Sequence, residues 1–253
     1  MDKEIYERIT KKKDFSLLPK KDVELVWKKF EKRNVSDSEK IRLTRDLLRK
    51  IYTVFASKKL FVLKERDEKW FLSKHISTRE RIDYYSELYS RIFKKSSDKR
   101  AVFDLGAGVN GFSYFYLPRN TKYIGVEAVG QLVNLGNKYF EERKIDGKMV
   151  HMSLFDLENL SGLFKGFRGD KTLFLFKVLD SLEMIKRDFS KEILLKLAPL
   201  VDRVIISFAT ESLLKRTKFR ASRKWLHDFL AQEFEILDEF DLGGERYIVF
   251  KNR

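Results

Sequence analysis

The chain has no cysteine, only three prolines, three histidines and two glutamines. Without cysteine there are no disulfides, no thiolate metal sites and no cysteine nucleophile. No apolar stretch approaches the roughly 20 residues needed to cross a bilayer. Met1 to Lys13 is charged throughout and lacks the apolar segment of a signal peptide. A cytoplasmic protein with no membrane partner is therefore expected. What the chain does have is 253 residues, 43% of them hydrophobic, enough for a real core. At that length one large domain, or one domain plus a small helical one, is the natural arrangement.

The formal net charge of +15 is unevenly spread. Residues 1–100 carry 29 Lys and Arg against 17 Asp and Glu, whereas residues 101–253 carry 24 against 21. Within the second part, 211–224 (ESLLKRTKFRASRK) holds six basic residues and one acid. Two basic zones thus flank a near-neutral body. That pattern suits a polyanion partner, although a solvated lysine-rich surface has the same composition.

Residues 1–95 read as helices. After Pro19, the stretch Lys20 to Phe30 places Val23, Val26, Trp27 and Phe30 on one face. Ser36 with Glu39 forms a capping box that predicts a long helix to about Ala56. Its apolar face is Ile41, Leu48, Ile51 and Phe55, and Arg42, Arg45 and Arg49 make a basic stripe suited to phosphates. Ser77 with Glu80 reads as a second capping box, opening a helix that buries Ile82, Tyr85, Leu88, Tyr89 and Ile92. A polar linker follows, which places the domain boundary between 1–97 and 98–253. Beyond it the pattern becomes short apolar runs alternating with helical stretches. Strands are expected at Ala101–Leu105, Tyr123–Val126, Met149–Met152, Leu173–Phe176 and Val204–Phe208. Phe234–Phe240 and Arg246–Phe250, joined around Gly243 and Gly244, read as a β-hairpin. The fold expected is α/β: a small all-helical N-terminal domain, then a Rossmann-like seven-stranded sheet ending in an antiparallel hairpin. That is the class I methyltransferase pattern.

The sharpest local feature is Val102-Phe-Asp104-Leu-Gly106-Ala107-Gly108-Val-Asn110-Gly111. A buried strand runs into glycines, so backbone can approach a ligand closely at the strand's carboxyl end. The spacing fits G-x-G-x-x-G, which dinucleotide enzymes share. Asp104, two residues before the first glycine, and the helical stretch ahead of the sheet favour S-adenosylmethionine over NAD. Asp104 either orients the loop or accepts from a methionine amino group. Glu127 ends the second strand, where a carboxylate suits two ribose hydroxyls. Asp156 follows the third strand, as an acceptor for an adenine amino group or as a helix N-cap.

The absences now narrow the chemistry. Carbon-5 pyrimidine methylation needs a thiolate, and none exists. Exocyclic-amine methylation usually uses an Asn/Asp-Pro-Pro-aromatic turn after the fourth strand. Phe176-Lys177-Val178-Leu179-Asp180-Ser181 stands there, and Pro19, Pro118 and Pro199 lie elsewhere. Guanine N7 carries its own lone pair and needs positioning rather than a base. No general base and no metal are assigned. His151 and His227 read as structural or surface residues.

These segments resemble the aminoglycoside-resistance small-subunit (16S) rRNA (guanine-N7) methyltransferases. His75-Ile-Ser77-Thr78-Arg79-Glu80-Arg81 is similar to that family's His-x-Ser-Thr-Arg/Lys-Glu-Arg stretch. Asp104-Leu-Gly-Ala-Gly-Val-Asn110 is similar to its Asp-x-Gly/Ala-Cys-Gly-Leu-Asn loop, and Phe176-Lys177 to Glu183 to its Phe-Lys-x-Leu-Pro-x-Leu-Glu. Ile206 to Leu213 is similar to its Ser-Phe-Pro-Thr-Arg-Ser-Leu. The resemblance implies an S-adenosylmethionine cofactor. His75, Ser77, Thr78, Arg79 and Arg81 would close over it, with Arg79 or Arg81 near its carboxylate. Gly106, Ala107 and Gly108 would line the methionine part, Glu127, Asp156 and Leu157 would hold the nucleoside, and Lys177 would also contact the cofactor. Asp104 belongs to the same set. The helical domain would dock a monomer on the assembled small subunit through Arg42, Arg45 and Arg49, and Thr210, Ser212, Lys215, Arg216, Lys218 and Arg220 would present the target. The departures fall mostly on that target side: Ala209 and Glu211 replace Pro and Arg, Leu214-Lys215-Arg216 replaces Gly-Gly-Arg, and Asp180 replaces a loop Pro. Three other readings stay open. They are another RNA methyltransferase acting on a ring nitrogen or ribose hydroxyl (Lys177, Asp104 and Glu183 handling the proton), a non-catalytic rRNA-binding factor, and an NAD enzyme.

Overall fold

The computed structural model describes residues 1–53, 60, 66–94, 97–210 and 223–253. Three helices open the chain, α1 (Lys3–Thr10), α2 (Lys20–Lys28) and α3 (Asp37–Leu48). Asp2 and Ser36 cap α1 and α3 by accepting from the amides of Glu4 and Glu39. The Ser36 cap is the expected one, but the Glu39 carboxylate turns to Arg42 instead of closing the box. The expected long helix also changes character. At Arg49–Thr53 the ladder widens into a π-helical turn, a local rearrangement that re-aims the side chains it carries. Ala56 lies outside the described residues.

Next come α4 (Glu68–Ser73), capped by Asp67, α5 (Ile76–Arg81) and α6 (Tyr85–Phe93). Here the second expected capping box is corrected. His75, not Ser77, stands at the N-cap of α5, and Ser77 lies inside its first turn with its hydroxyl on His75 Nδ1 at 3.0 Å. The single helix expected is two, because α5 stops at Arg81 and α6 starts afresh at Tyr85.

Seven strands follow: β1 (Arg100–Leu105), β2 (Thr121–Glu127), β3 (Gly147–His151), β4 (Asp170–Phe176), β5 (Arg203–Ala209), β6 (Phe234–Leu242) and β7 (Glu245–Asn252). Between them lie α7 (Gly130–Glu142), α8 (Leu157–Leu163), α9 (Leu179–Ile185), α10 (Phe189–Leu197) and α11 (Lys224–Glu233). The sheet order is β3-β2-β1-β4-β5-β7-β6; β7 alone runs against the others, so its pairings with β5 and β6 are antiparallel and the rest are parallel. This is the class I methyltransferase arrangement expected from the alternation, hairpin included. β1 is buried along its whole length, as a central parallel strand should be. Asp104 pairs with Phe174 and Phe103 with Leu173, so the two pairs point to opposite faces. On one face Phe174 stacks on Tyr89 of α6, and on the other Phe103 packs on Phe164 at the end of α8. Helices therefore cover both faces.

The opening helices are fastened to this body at several points. Gln131 Nε2 donates to the Lys13 carbonyl at 2.8 Å, Lys29 Nζ to the Ile185 carbonyl at 3.0 Å, and the Gly130 amide to Leu17 at 3.3 Å. Buried apolar residues from Ile9 to Phe250 form one continuous cluster. Ser97 to Lys99, at the expected boundary, is exposed. Among the described residues no helix is long and apolar enough to cross a membrane.

Candidate functional site

The strand order reverses direction about β1 and β4, and in such sheets the crevice at the carboxyl ends of those strands is where ligands bind. A cleft of about 870 Å³, counted to its open mouth, lies there. Its floor is Gly106 and Gly108 after β1 and Lys177 and Val178 after β4, with Glu127 at the end of β2.

The glycine loop is held in a shape that only glycine takes easily. Gly106 and Gly108 have φ of +70° and +53°. A Cβ on Gly106 would stand 2.6 Å from Val178 Cγ2, and one on Gly108 3.1 Å from His75 Nε2. The amides of Gly106 and Ala107 both donate to the Val126 carbonyl, at 2.8 and 3.1 Å. Glu127 clamps the other side: Oε2 accepts from the Gly108 amide at 2.8 Å and Oε1 from Val129 at 2.9 Å. Burial raises its pKa, offset in part by those backbone donors. Each oxygen keeps a lone pair for a further donor, so Glu127 can still serve ribose hydroxyls.

Asp104 takes the first of its two readings. It is buried beneath the loop and does not line the cleft. It accepts from Asn110 Nδ2 at 2.7 Å and Tyr123 Oη at 2.6 Å. Asn110 Oδ1 accepts from Tyr85 at 2.7 Å, and Tyr89 shares a hydrogen bond with Ser113. Burial pushes the Asp104 pKa up, and this network is what lets a carboxylate sit there. Its role is to shape the turn.

The segment ahead of α6 divides between cleft and framework. His75, Ile76, Ser77 and Glu80 line the cleft. The His75 ring lies over Gly108, and burial, then the Arg81 and Lys177 cations, hold its pKa down to about 4. It is thus neutral near pH 7. Thr78 turns inward, donating to the Leu72 carbonyl at 2.7 Å. Ala107 is buried behind the loop. Arg79 is exposed. Arg81, expected near a ligand carboxylate, is placed within the framework beside the cleft. It is fully buried against Glu245 at the start of β7, with Nε and Nη2 each 2.9 Å from a carboxylate oxygen, and its guanidinium covers the Phe176 ring. A buried cation needs such a partner, and Glu245 supplies it. Lys177, at φ +57°, reaches Glu80 and stands 3.2 Å from Glu245. Two cations and two carboxylates thereby join α5, β4 and β7 beside the cleft.

Asp156 precedes α8 in the N-cap position, but its carboxylate accepts from the Asn159 side chain at 2.6 Å. Neither it nor Leu157 lines the cleft; Leu154 and Phe155 do. The ribose-type proton relay is not assembled either. Glu183 accepts from the amides of Asp188 and Ser190, at 2.7 and 2.8 Å, and Asp104 lies under the loop.

The arginine stripe is paired within the protein. Arg42 bridges Glu39 and Asp46, Arg49 joins Asp46 at 2.8 Å, and Arg45 donates to the carbonyls of Ile9 and Arg8. The Thr210 amide donates to the Gly244 carbonyl at 3.0 Å. Ser212, Lys215, Arg216, Lys218 and Arg220, like Glu211, lie outside the described residues. His151 meets the Ala128 carbonyl and His227 meets Glu239, as expected of structural or surface residues.

Sequence reasoning missed the wall contributed by the opening helices. Asp22 of α2 and Ile51 and Tyr52 of the π-turn line the cleft. The only signal for Asp22 was an acid one turn before Val26, on the apolar face of α2. Tyr52 had none, because its direction depends on the π-turn.

With this geometry established, comparison with known proteins decides the family. The FmrO ribosomal RNA methyltransferase family profile matches residues 46–238. The chain belongs to that family. A 16S rRNA (guanine(1405)-N(7))-methyltransferase of Frankia casuarinae is 31% identical over 147 residues, 57% of this chain. The match spans about half of that relative, 49%. The 16S rRNA methylase RmtB superposes with a TM-score of 0.81 at 22% identity, covering 99% of this chain and 98% of its own. The methyltransferase RmtF, solved with S-adenosyl-L-homocysteine, gives 0.82 at 21% identity over the whole of both chains. At that identity the likeness is one of fold, opening helices included.

Proposed function

We propose that this protein is an S-adenosylmethionine-dependent methyltransferase that modifies guanine N7 in 16S rRNA of the small subunit. The observation that carries the reading is the cleft at the ends of β1 and β4, in a member of this family. Its floor is two left-handed glycines where a Cβ would collide, and Glu127 stands at its edge with lone pairs to spare. Such a floor lets backbone approach a bulky ligand, and the carboxylate suits a ribose. The cofactor would supply a methyl group bonded to a sulfonium sulfur: the N7 lone pair would bond to the methyl carbon as the carbon–sulfur bond breaks, S-adenosylhomocysteine would leave, and no proton need be removed.

The residues around the cleft fit that demand. His75, its pKa held down to about 4, is a weak base packed on the glycine loop, and Lys177 is held by two carboxylates, so neither is a strong proton acceptor. Positioning is then the main contribution of the chain. His75 and Ser77 shape the methionine side; Glu127, Leu154 and Phe155 shape the nucleoside side. In this reading residues 1–97 are the rRNA-docking domain and 98–253 the methyltransferase domain, working as a monomer in the cytoplasm. Arg42 and Arg49 would exchange their internal carboxylates, and Arg45 its backbone carbonyls, for phosphates.

The test is incubation of unmethylated small subunits with methyl-labelled S-adenosylmethionine, followed by borohydride–aniline cleavage. Label in 16S rRNA with strand scission at one guanine is expected. No incorporation into subunits or rRNA overturns the reading, and label without aniline scission overturns the N7 assignment.

A further inference from the structure

Asp22 is unusual among the cleft residues. It comes from α2, in the first turn of a helix outside the sheet, yet it is 1% exposed and lines the cleft. Its Oδ1 accepts from the Tyr52 hydroxyl. Its Oδ2 is buried, and no donor among the described residues meets it with full hydrogen-bond geometry, although the Ser153 hydroxyl stands close to the carboxylate. A buried carboxylate oxygen left in that condition is costly, and the great majority of such atoms have partners. Burial raises the pKa of Asp22, opposed by the hydroxyls of Ser153 and Tyr52 and by His151; in its ionised form the carboxylate accepts only, and a donor is the partner that would hold it in that form.

The neighbours of the pair indicate which donor. His151, at the end of β3, lies close enough to Asp22 to act on its charge, the Ser153 hydroxyl just beyond it is within reach of the same carboxylate, and Glu127 acts likewise on the charge of Tyr52. These are the ends of β2 and β3. In the cofactor reading above, the methionine side is the part of the cleft lined by His75 and Ser77, at the start of α5, and not these strand ends. The π-turn is what brings Tyr52 to the same place, where its hydroxyl fixes the carboxylate from behind.

Resting on the cofactor reading above, we propose that Asp22, oriented by Tyr52, is a second carboxylate for the nucleoside half of the cofactor, with Oδ2 accepting from a ribose hydroxyl or the adenine amino group. The opening helices then take part in cofactor recognition as well as in docking.

The test is titration calorimetry of the full chain with S-adenosylhomocysteine and with 5′-methylthioadenosine, which keeps the nucleoside and lacks the amino acid. Asp22→Ala should weaken both ligands by the same factor, roughly 10- to 100-fold, the range for an acceptor lost from a charged hydrogen bond. Should that variant not fold, Asp22→Ala with Tyr52→Phe removes both partners and leaves no buried donor stranded. It should melt close to wild type and lose the same affinity. Analogues of S-adenosylhomocysteine lacking one ribose hydroxyl or carrying a dimethylated adenine amine identify the donor, since the one Asp22 holds costs no further affinity in the variant. If wild type binds and a folded variant binds both ligands within about twofold, the proposal is overturned while the cofactor reading stands. Loss of S-adenosylhomocysteine with 5′-methylthioadenosine unaffected also overturns it. A wild type that binds neither ligand overturns both.

Discussion

Gly106→Ala is the sharpest test of how the loop is built, because two separate penalties meet at one atom. The first is conformational. At φ +70° an alanine sits in the left-handed region, at a cost of about 1–2 kcal/mol. The second is steric. The new Cβ would be 2.6 Å from Val178 Cγ2, against an ordinary carbon separation of about 3.5–4.0 Å. Val178 would have to withdraw by about 1 Å, and overpacking of that kind costs about 1–3 kcal/mol. Together the variant should lose about 2–5 kcal/mol. At about 2–4 °C per kcal/mol for a chain of this size, the midpoint should fall by at least about 4 °C. Affinity for S-adenosylhomocysteine should fall with it, since the loop floor moves. Val178→Ala separates the two penalties. In a double-mutant cycle read by urea unfolding it should recover the steric part, about 1–3 kcal/mol, and leave the conformational part untouched. A Gly106→Ala protein that melts within about 1 °C of wild type, or a cycle with zero coupling, refutes this account of the loop.

Four further outcomes follow from the electrostatics. Arg81→Ala strands a fully buried Glu245 carboxylate and should destabilise by about 3–5 kcal/mol in urea unfolding; a loss below about 1 kcal/mol contradicts the framework role. Burial alone would raise the Glu245 pKa, but Arg81 and Lys177 overbalance it and hold it below 4.5; the stability from this group is present above pH 4.5 and lost as pH falls through its folded value. His75 has its pKa lowered from 6.5 to about 4, so the unfolded chain takes up a proton that the folded chain refuses between those values. Stability should therefore drop by as much as about 3 kcal/mol from pH 6.5 to 4, and His75→Gln should remove that slope; identical pH profiles for variant and wild type rule it out. Replacing Arg42, Arg45 and Arg49 should weaken small-subunit binding and flatten its salt dependence, whereas equal binding at all salts marks the stripe as a solvated, internally paired face.

The sheet was legible because its signals are local and redundant. All seven strands appear as short apolar runs, and the hairpin carries its own glycines, at φ of +61° and +74°. The glycine loop was legible for the same reason: a buried strand followed by residues whose only advantage is conformational. Elements with weaker periodicity were not. α8 and α9 have seven residues each, too short for an apolar period to declare itself. The Ser77 capping box failed because the pattern specifies residue spacing and not whether backbone is free to begin a helix there; His75 already occupied that position.

A motif places a residue on the chain, but the direction of its side chain is set by partners far away in sequence. Arg79 and Arg81 stand two apart in one short stretch, yet one is exposed and the other buried, because Glu245 arrives 164 positions later to receive Arg81. Asp104 and Glu127 end neighbouring strands, and only Glu127 reaches the cleft. Asp104 is drawn under the loop by Tyr123 and Asn110, whose donors a sequence pattern does not reveal. Asp22 and Tyr52 are the converse case. Neither belongs to a motif, and each taken alone is an unremarkable helix residue. They become a site only when α2, the π-turn and the end of β3 converge, leaving one carboxylate oxygen with a donor still to find. The residues hardest to read from sequence are thus those whose chemistry is created by packing, and an unsatisfied buried acceptor is the mark by which structure reveals them.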